Sequence, residues 1–451
     1  MNKLEKGPVV ITLISLIILG TLFSGCVKEK IEKKEATFEE IAVGLMVNLS
    51  EENYEKAYNM FNSELKNSLS LEQLQTTWEY FTNLYGEFEE IIDTNKTIDS
   101  GYDIVRLNSS FSNNYILKFR IVFTKDKEIT GFWMDGVTSE NIYSAPAYVN
   151  QKNFTENEIT FGLDEWMLPG TVSMPVGNGP FPAVILVHGS GPNDRDETIG
   201  PNKPFKDIAW GLASNQIAVL RYEKRTKQYS NELINNINLT IKEEVVDDAL
   251  AAYDFLRNYD KIDSDNIIIL GHSLGAMIAP YIATLEQNIS KIILLAPPAR
   301  PLIDLIYNQT IYLAELDGTI DEDESLAIQE VELAIEKIKN LNFSDNEMIF
   351  SAYKTYWEYL NSFDQVEIAE SLELPILILQ GRRDYQVTYE DDFHIWNNTL
   401  KDKNNVMLKS YSDLNHLFMK GSGPSTNMEY LEEGHVSSKI IFNIIDWIFM
   451  S

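Results

Sequence analysis

Cysteine is nearly absent from this chain, with one in 451 residues. No intramolecular disulfide can form, and no Cys-rich metal site can be built. Histidine is scarce as well. Its five copies, His188, His272, His394, His416 and His435, show no ligand spacing such as H-E-x-x-H, so no metal centre is expected. Positive charge is under-represented, with 37 Lys and Arg against 68 Asp and Glu and a formal net charge of −31. Such a surface repels a phosphate backbone, so nucleic acid is not an expected partner. Low-complexity sequence is also lacking. At 44% hydrophobic and 11% aromatic residues the chain has the apolar content of packed domains, which confines disorder to short segments. Its length exceeds one compact core and implies two or three domains.

Long apolar runs are missing everywhere except at the start. Residues 1–27 read MNKLEKGPVVITLISLIILGTLFSGCV, a Lys-bearing start and an apolar run from Val9 to Phe23, then Ser24-Gly25-Cys26. Small residues before a lone cysteine resemble the lipobox of lipoprotein signal peptides. That resemblance implies that residues 1–26 form a signal segment and that Cys26 is lipidated. An uncleaved anchor is the other reading, since Gly7 to Val27 is barely long enough to span a bilayer. Either one places the remaining chain outside the cytoplasm, attached to the cell membrane. Residues 27–36 are a charged linker.

A small α+β domain is expected over residues 37–145. Thr37-Phe-Glu-Glu40 and Ser70-Leu-Glu-Gln73 are capping boxes. Helical patterns cover Ile41 to Asn48, Tyr54 to Leu65 and Leu71 to Tyr85. Two alternating stretches, Ile116 to Phe123 and Glu128 to Met134, read as a hairpin joined at Lys125-Asp126. Trp78, Tyr85-Gly86 and Gly131-Phe132 resemble points of small cystatin-like or nuclear-transport-factor-like domains found ahead of hydrolases. No acid–base or nucleophile constellation occurs here, so a spacer or docking role is expected.

Residues 150–451 change rhythm to strands alternating with helices. The apolar runs Ala183–Val187, Ile217–Leu220, Ile267–Leu270, Ile292–Leu295 and Pro375–Leu379 are those of parallel strands buried on both faces. Helical patterns lie between them at Phe205–Ser214, Glu243–Asn258 and Leu274–Leu285. The expected fold is a mostly parallel, doubly wound α/β sheet. About residues 297–372 the spacing between strands is far longer than a crossover needs. That interval carries an amphipathic stripe of Ala327, Val331, Ile335 and Ile338 and is expected to be a helical cap.

The sharpest motif is Gly271-His-Ser-Leu-Gly275, directly after an apolar strand and opening a helix. G-x-S-x-G in that context exposes the serine on a tight turn above the sheet edge, which makes Ser273 the expected nucleophile. Its hydroxyl needs a base, and His416 follows the strand-like Val406–Tyr411 in the chain order Ser, Asp, His. His435 is the weaker candidate, lying later in a loop before the last helix. Asp384, just beyond Ile376–Leu379, sits where a carboxylate could orient the imidazole; Asp391, Asp392 and Asp413 do not. Oxyanion donors are expected from the backbone N–H of Leu274 and, in the Gly-rich run His188-Gly-Ser-Gly-Pro192, that of Ser190, with Gly191 the alternative. The charged runs Asn193–Glu197 and Arg221–Arg225 are expected to interlock as ion pairs.

HGSGPNDRDE (188–197), RYEKRT (221–226), GHSLG (271–275), APPARPL (296–302), QGRRD (380–384) and DLNH (413–416) together resemble α/β-hydrolase carboxylesterases of the EstD type. They resemble dienelactone hydrolases and serine aminopeptidases more loosely. The resemblance implies the α/β-hydrolase fold, a serine hydrolase acting on small acyl esters, and no cofactor. A peptidase or an acyltransferase would use the same residues. A non-catalytic envelope binding or scaffold protein is the expectation from another class. Oligomeric state is not legible.

Overall fold

The computed structural model describes residues 36–99, 101–139 and 143–450. The Cys26 expectation lies outside the described residues.

Both expected capping boxes form. Thr37 and Glu40 close the start of the helix Phe38–Ser50, and Ser70 and Gln73 that of Leu71–Tyr85. The pattern expected as one helix over Tyr54 to Leu65 is two, Tyr54–Asn59 and Ser63–Ser68. Asn62 makes the break. Its side chain caps the second helix at Leu65 N (2.9 Å), while its own N–H donates to Ile129 O (2.8 Å) and ties the helices to the sheet.

That sheet has four antiparallel strands where two were expected: β1 (Phe88–Asp99), β2 (Tyr102–Phe111), β3 (Tyr115–Phe123) and β4 (Ile129–Ser139), paired in chain order. β1 escapes the pattern because FEEIIDTNKTID is half-buried at best along its length, so burial imposes no alternation on it. In β2, Ser109 interrupts the apolar face formed by Val105, Leu107 and Phe111. One face of the sheet packs on the helices. Trp78 lies 6.0–6.5 Å from the rings of Phe88, Phe111 and Phe119, and Phe119 stacks on Phe132 at 5.7 Å.

The second sheet holds β5 (Phe154–Leu163), β6 (Trp166–Pro175), β7 (Phe181–Val187), β8 (Ala218–Tyr222), β9 (Ile262–His272), β10 (Lys291–Leu295), β11 (Ile376–Gly381) and β12 (Val406–Tyr411). Their order is β12-β11-β10-β9-β7-β8-β6-β5. From β8 to β12 every pairing is parallel. β5 and β6 add an antiparallel hairpin at one edge, which was not foreseen because β5 alternates too many exposed polar residues to read as a core strand.

The parallel strands feed two cores. Ala183, Ile185 and Val187 of β7 point to one side, with Ala249, Ala252, Ile278 and Ile282 of the crossover helices. Val184 and Leu186 point to the other, with Phe205, Leu212 and Ile444. This is the mostly parallel, doubly wound α/β architecture expected from the apolar runs. The chain leaves β7 for β8 on one side and returns to β9 on the other. A crevice therefore opens between the carboxyl ends of β7 and β9. Over it lie the helices Leu302–Ala314, Glu322–Lys339, Lys354–Leu360 and Gln365–Ser371, inserted between β10 and β11. In the stripe of the second of these, Ile335 and Ile338 are buried and Val331 half-buried, while Ala327 is exposed.

Candidate active site

Ser273 follows β9 immediately and precedes the helix Leu274–Leu285. Its backbone sits at φ 51°, ψ −117°, a conformation L-residues avoid unless their surroundings enforce it. Two bonds enforce it: Ser273 N–H to Leu295 O and Met277 N–H to Ser273 O, both 2.9 Å. The flanking glycines are sterically required. A Cβ on Gly271 would lie 2.3 Å from the carbonyl of Gly275, and one on Gly275 would lie 2.2 Å from Val187 O.

Asp384 lies just past β11 and is buried. One of its oxygens accepts the N–H groups of Gln386 and Val387, both at 2.9 Å. The other accepts Gln380 Nε2 at 3.0 Å and His416 Nδ1 at 2.7 Å. That last bond places the proton on Nδ1 and leaves Nε2 with a lone pair, the tautomer a general base requires. His416 sits on the loop after β12, whose turn is pinned by Asn415 Oδ1 accepting Leu417 N (3.1 Å) and Met419 N (3.0 Å). Among the described residues no hydrogen bond joins Ser273 Oγ to His416. Such bonds are often long before substrate binds. The ring of His272, next to Ser273 in the chain, lies 4.8 Å from that of His416, which brings the base loop against the elbow.

The rival residues are engaged elsewhere. His435 Nδ1 bonds Asp207 at 3.1 Å, Asp392 pairs with Arg300 at 2.8 Å, and Asp413 pairs with Lys439 at 3.2 Å. Asp391 lies 3.3 Å from Arg300. His188 packs between the rings of Phe205 and Tyr222, each 5.1 Å away, and its Nε2–H donates to Asp194 O at 3.1 Å. Burial, helped by the nearby Lys224, pushes its imidazole down to about 4, so it is neutral at pH 7.

The loop after β7 abuts Ser273. A Cβ on Gly189 would lie 3.3 Å from Ser273 Cβ. Its carbonyls are held by side chains. Lys224 Nζ donates to Gly189 O (2.9 Å) and Gly191 O (3.0 Å), and Asn193 Nδ2 to Ser190 O (3.0 Å). Gly189 N–H is taken by Glu197 at 2.7 Å. Ser190 N–H and Gly191 N–H meet no acceptor among the described residues, and Leu274 N–H is an orphan donor of a helix's first turn. The expected charged interlock also forms. Arg221 pairs with Asp196, and Arg195 with Glu223 at 2.8 Å, while Lys224 and Arg225 reach instead to Glu244 and Asp248.

Beside Ser273 and Ser190 opens a cavity of about 540 Å³, walled by Leu302, Leu305, Phe350 and Trp357 of the cap. Glu244 lies in its floor, held by Lys224 (2.7 Å) and by the Tyr356 hydroxyl (2.8 Å). No group of His, Cys, Asp or Glu among the described residues could hold a metal. Four residues of the site were not singled out from sequence: Glu197, His272, Lys224 and Gln380. Each lay inside a quoted motif, but nothing local distinguishes a buried Lys or Glu from a solvated one.

Comparison with known proteins follows this geometry. The chain is 38% identical over 411 residues to Esterase EstD of Thermotoga maritima, covering 91% of this chain and 95% of that protein. The chain belongs to the EstD esterase family. The hydrolase domain spans only about 300 residues, so the likeness to EstD extends into the N-terminal domain. A family model described as a protein of unknown function (DUF3887) matches residues 42–132 there, and the prolyl oligopeptidase family matches residues 212–433. Among solved structures, the chain is similar to Est1E from Butyrivibrio proteoclasticus at 16% identity and a TM-score of 0.42, covering 64% of this chain and 97% of that one. It is similar also to a hyperthermophilic esterase from Pyrobaculum calidifontis at 16% identity and a TM-score of 0.44, covering 65% and 85%.

Proposed function

We propose that the chain is a serine carboxylesterase that hydrolyses small acyl esters through Ser273, His416 and Asp384. The observation that carries this reading is the buried Asp384–His416 bond at 2.7 Å, facing the strained turn that presents Ser273 beside an apolar cavity. His416 Nε2 takes the serine proton as Oγ attacks the ester carbonyl, forming the tetrahedral oxyanion. The N–H groups of Leu274 and Ser190 hold that charge. His416 then passes the proton to the departing alcohol, and a water activated by the same imidazole cleaves the acyl-enzyme. Asp384 stabilises the imidazolium in both steps and fixes its tautomer. The cap limits the size of the acyl or alcohol group by walling the cavity.

The N-terminal segment supports a location outside the cytoplasm, tethered to the membrane through lipidated Cys26. Fluorophosphonate labelling followed by peptide mapping tests the nucleophile. Label on Ser273, and turnover of nitrophenyl esters lost in Ser273→Ala by about 10⁵-fold, is the expected result; retained turnover in that variant refutes it. Radiolabelled fatty acid incorporated into the wild-type chain but not into Cys26→Ser tests the tether.

A further inference from the structure

Behind the proposed base lies a second buried histidine–carboxylate pair that the reaction above does not use. Glu197 and His272 are 2% and 5% exposed. His272 Nδ1 faces Glu197 Oε2 at 3.0 Å. His272 Nε2 lies 3.1 Å from the backbone oxygen of His416. The other oxygen of Glu197 accepts Gly189 N–H at 2.7 Å. A single line of polar contacts therefore runs from the oxyanion loop, through Glu197 and His272, to the backbone of the residue that carries the base.

His272 Nε2 faces a backbone carbonyl that can only accept, so Nε2 carries hydrogen, while Nδ1 faces the carboxyl of Glu197. Burial alone would push the imidazole down, but the facing Glu197 outweighs it and holds His272 above its ordinary value. Burial raises Glu197 in turn, and His272 outweighs that and holds the carboxyl below the usual range. Phe205, Ile208, Leu295, Leu417 and Phe418 line a void of about 10 Å³ beside the pair, and the ring of His416 lies 4.8 Å from that of His272, with Asp384 beyond it. A buried ion pair is a poor source of net stability, so its geometry is the feature to explain.

We propose that Glu197 and His272 are positioning residues that lock the oxyanion loop and the His416 backbone to each other across the nucleophile elbow. Their effect falls on the transition state. Ground-state binding in the cavity walled by the cap does not depend on them, whereas a displacement of donors or base by about 1 Å costs about 100-fold in rate. The proposal rests on the assignment of Ser273 and His416 above.

Turnover of a nitrophenyl ester by the full chain tests it. Glu197→Ala is expected to lower kcat about 100-fold with KM within about twofold, the signature of a contact that matters only in the transition state. Glu197→Gln restores kcat to within about fivefold, because its amide oxygen still accepts Gly189 N–H and its amide N–H can donate to a neutral His272. Equal losses in the two variants, a loss confined to KM, or a kcat in Glu197→Ala within about threefold of wild type would overturn it. Should Glu197→Ala not fold by circular dichroism, His272→Gln and His272→Asn decide. The Gln amide reaches the His416 carbonyl and the Asn amide does not, so Gln retains the higher kcat; equality or the reverse order overturns the proposal. Ser273→Ala run alongside separates the two failures. An active Ser273→Ala overturns the nucleophile, whereas an inactive one beside an unimpaired Glu197→Ala overturns only the lock.

Discussion

In the N-terminal domain the interior is aliphatic and aromatic almost throughout. Trp78 lies among phenylalanines, and Ser109 is its one buried polar residue among the described positions. In the hydrolase domain the sheet's apolar layers give way, at the carboxyl edge, to buried Glu197, Arg221, Lys224, Glu244, Asp248, His272, Asp384 and His416. Each buried ion must be paired, since an unpaired one costs several kcal/mol. The first interior carries no such penalty. The second accepts a large desolvation penalty, at the strand ends and also on the helices beside them, as at Asp207 and Asp248. Buried charge therefore points to the proposed site more directly than hydrophobicity does.

That contrast can be broken experimentally. The largest effect is expected from Asp384→Asn, which keeps the volume but reverses the tautomer favoured at His416; turnover of a nitrophenyl ester should fall about 10⁴-fold with the melting profile unchanged. Lys224→Met removes the cation that holds Glu244 and two oxyanion-loop carbonyls. Urea unfolding of the hydrolase domain should shift by about 3–5 kcal/mol, and kcat should fall with it. Trp78→Ala opens a cavity in the other core. It should weaken the N-terminal transition by about 3–5 kcal/mol and leave kcat unaltered; a matching loss of turnover would show that the two interiors are not separable in function.

The smallest effect concerns pH. The hydrogen bond from His435 to Asp207 holds that half-buried imidazole above its ordinary value. Its contribution to stability is complete below the unfolded value and is lost as pH rises through the folded one. The Tm difference between wild type and His435→Asn should therefore be larger at pH 5.5 than at pH 8.5. A difference that grows with pH would contradict the assigned pair.

Much of the hydrolase fold was legible because a strand buried on both faces must be continuously apolar; Ile267–Leu270 and Ile376–Leu379 could be little else. The elbow was legible for a similar reason, as glycines flanking a serine between strand and helix are a local backbone requirement. Strands β1, β2 and β5 were not legible. β1 and β5 expose much of their length, and β2 carries Ser109 on its buried face, whereas burial of apolar residues is what writes alternation into sequence. Nor was the break at Asn62, because the contact that fixes it, with Ile129, comes from a distant strand.

The sequence by itself determined the order of elements, the turn that strains Ser273, and the chemistry available at each strand end, since these depend on neighbours within a few residues. Only the tertiary structure decided which imidazole meets which carboxylate, that Lys224 and Glu197 are buried, and that His272 spans two loops. Those outcomes depend on desolvation and on distances between residues far apart in the chain, which no local pattern encodes.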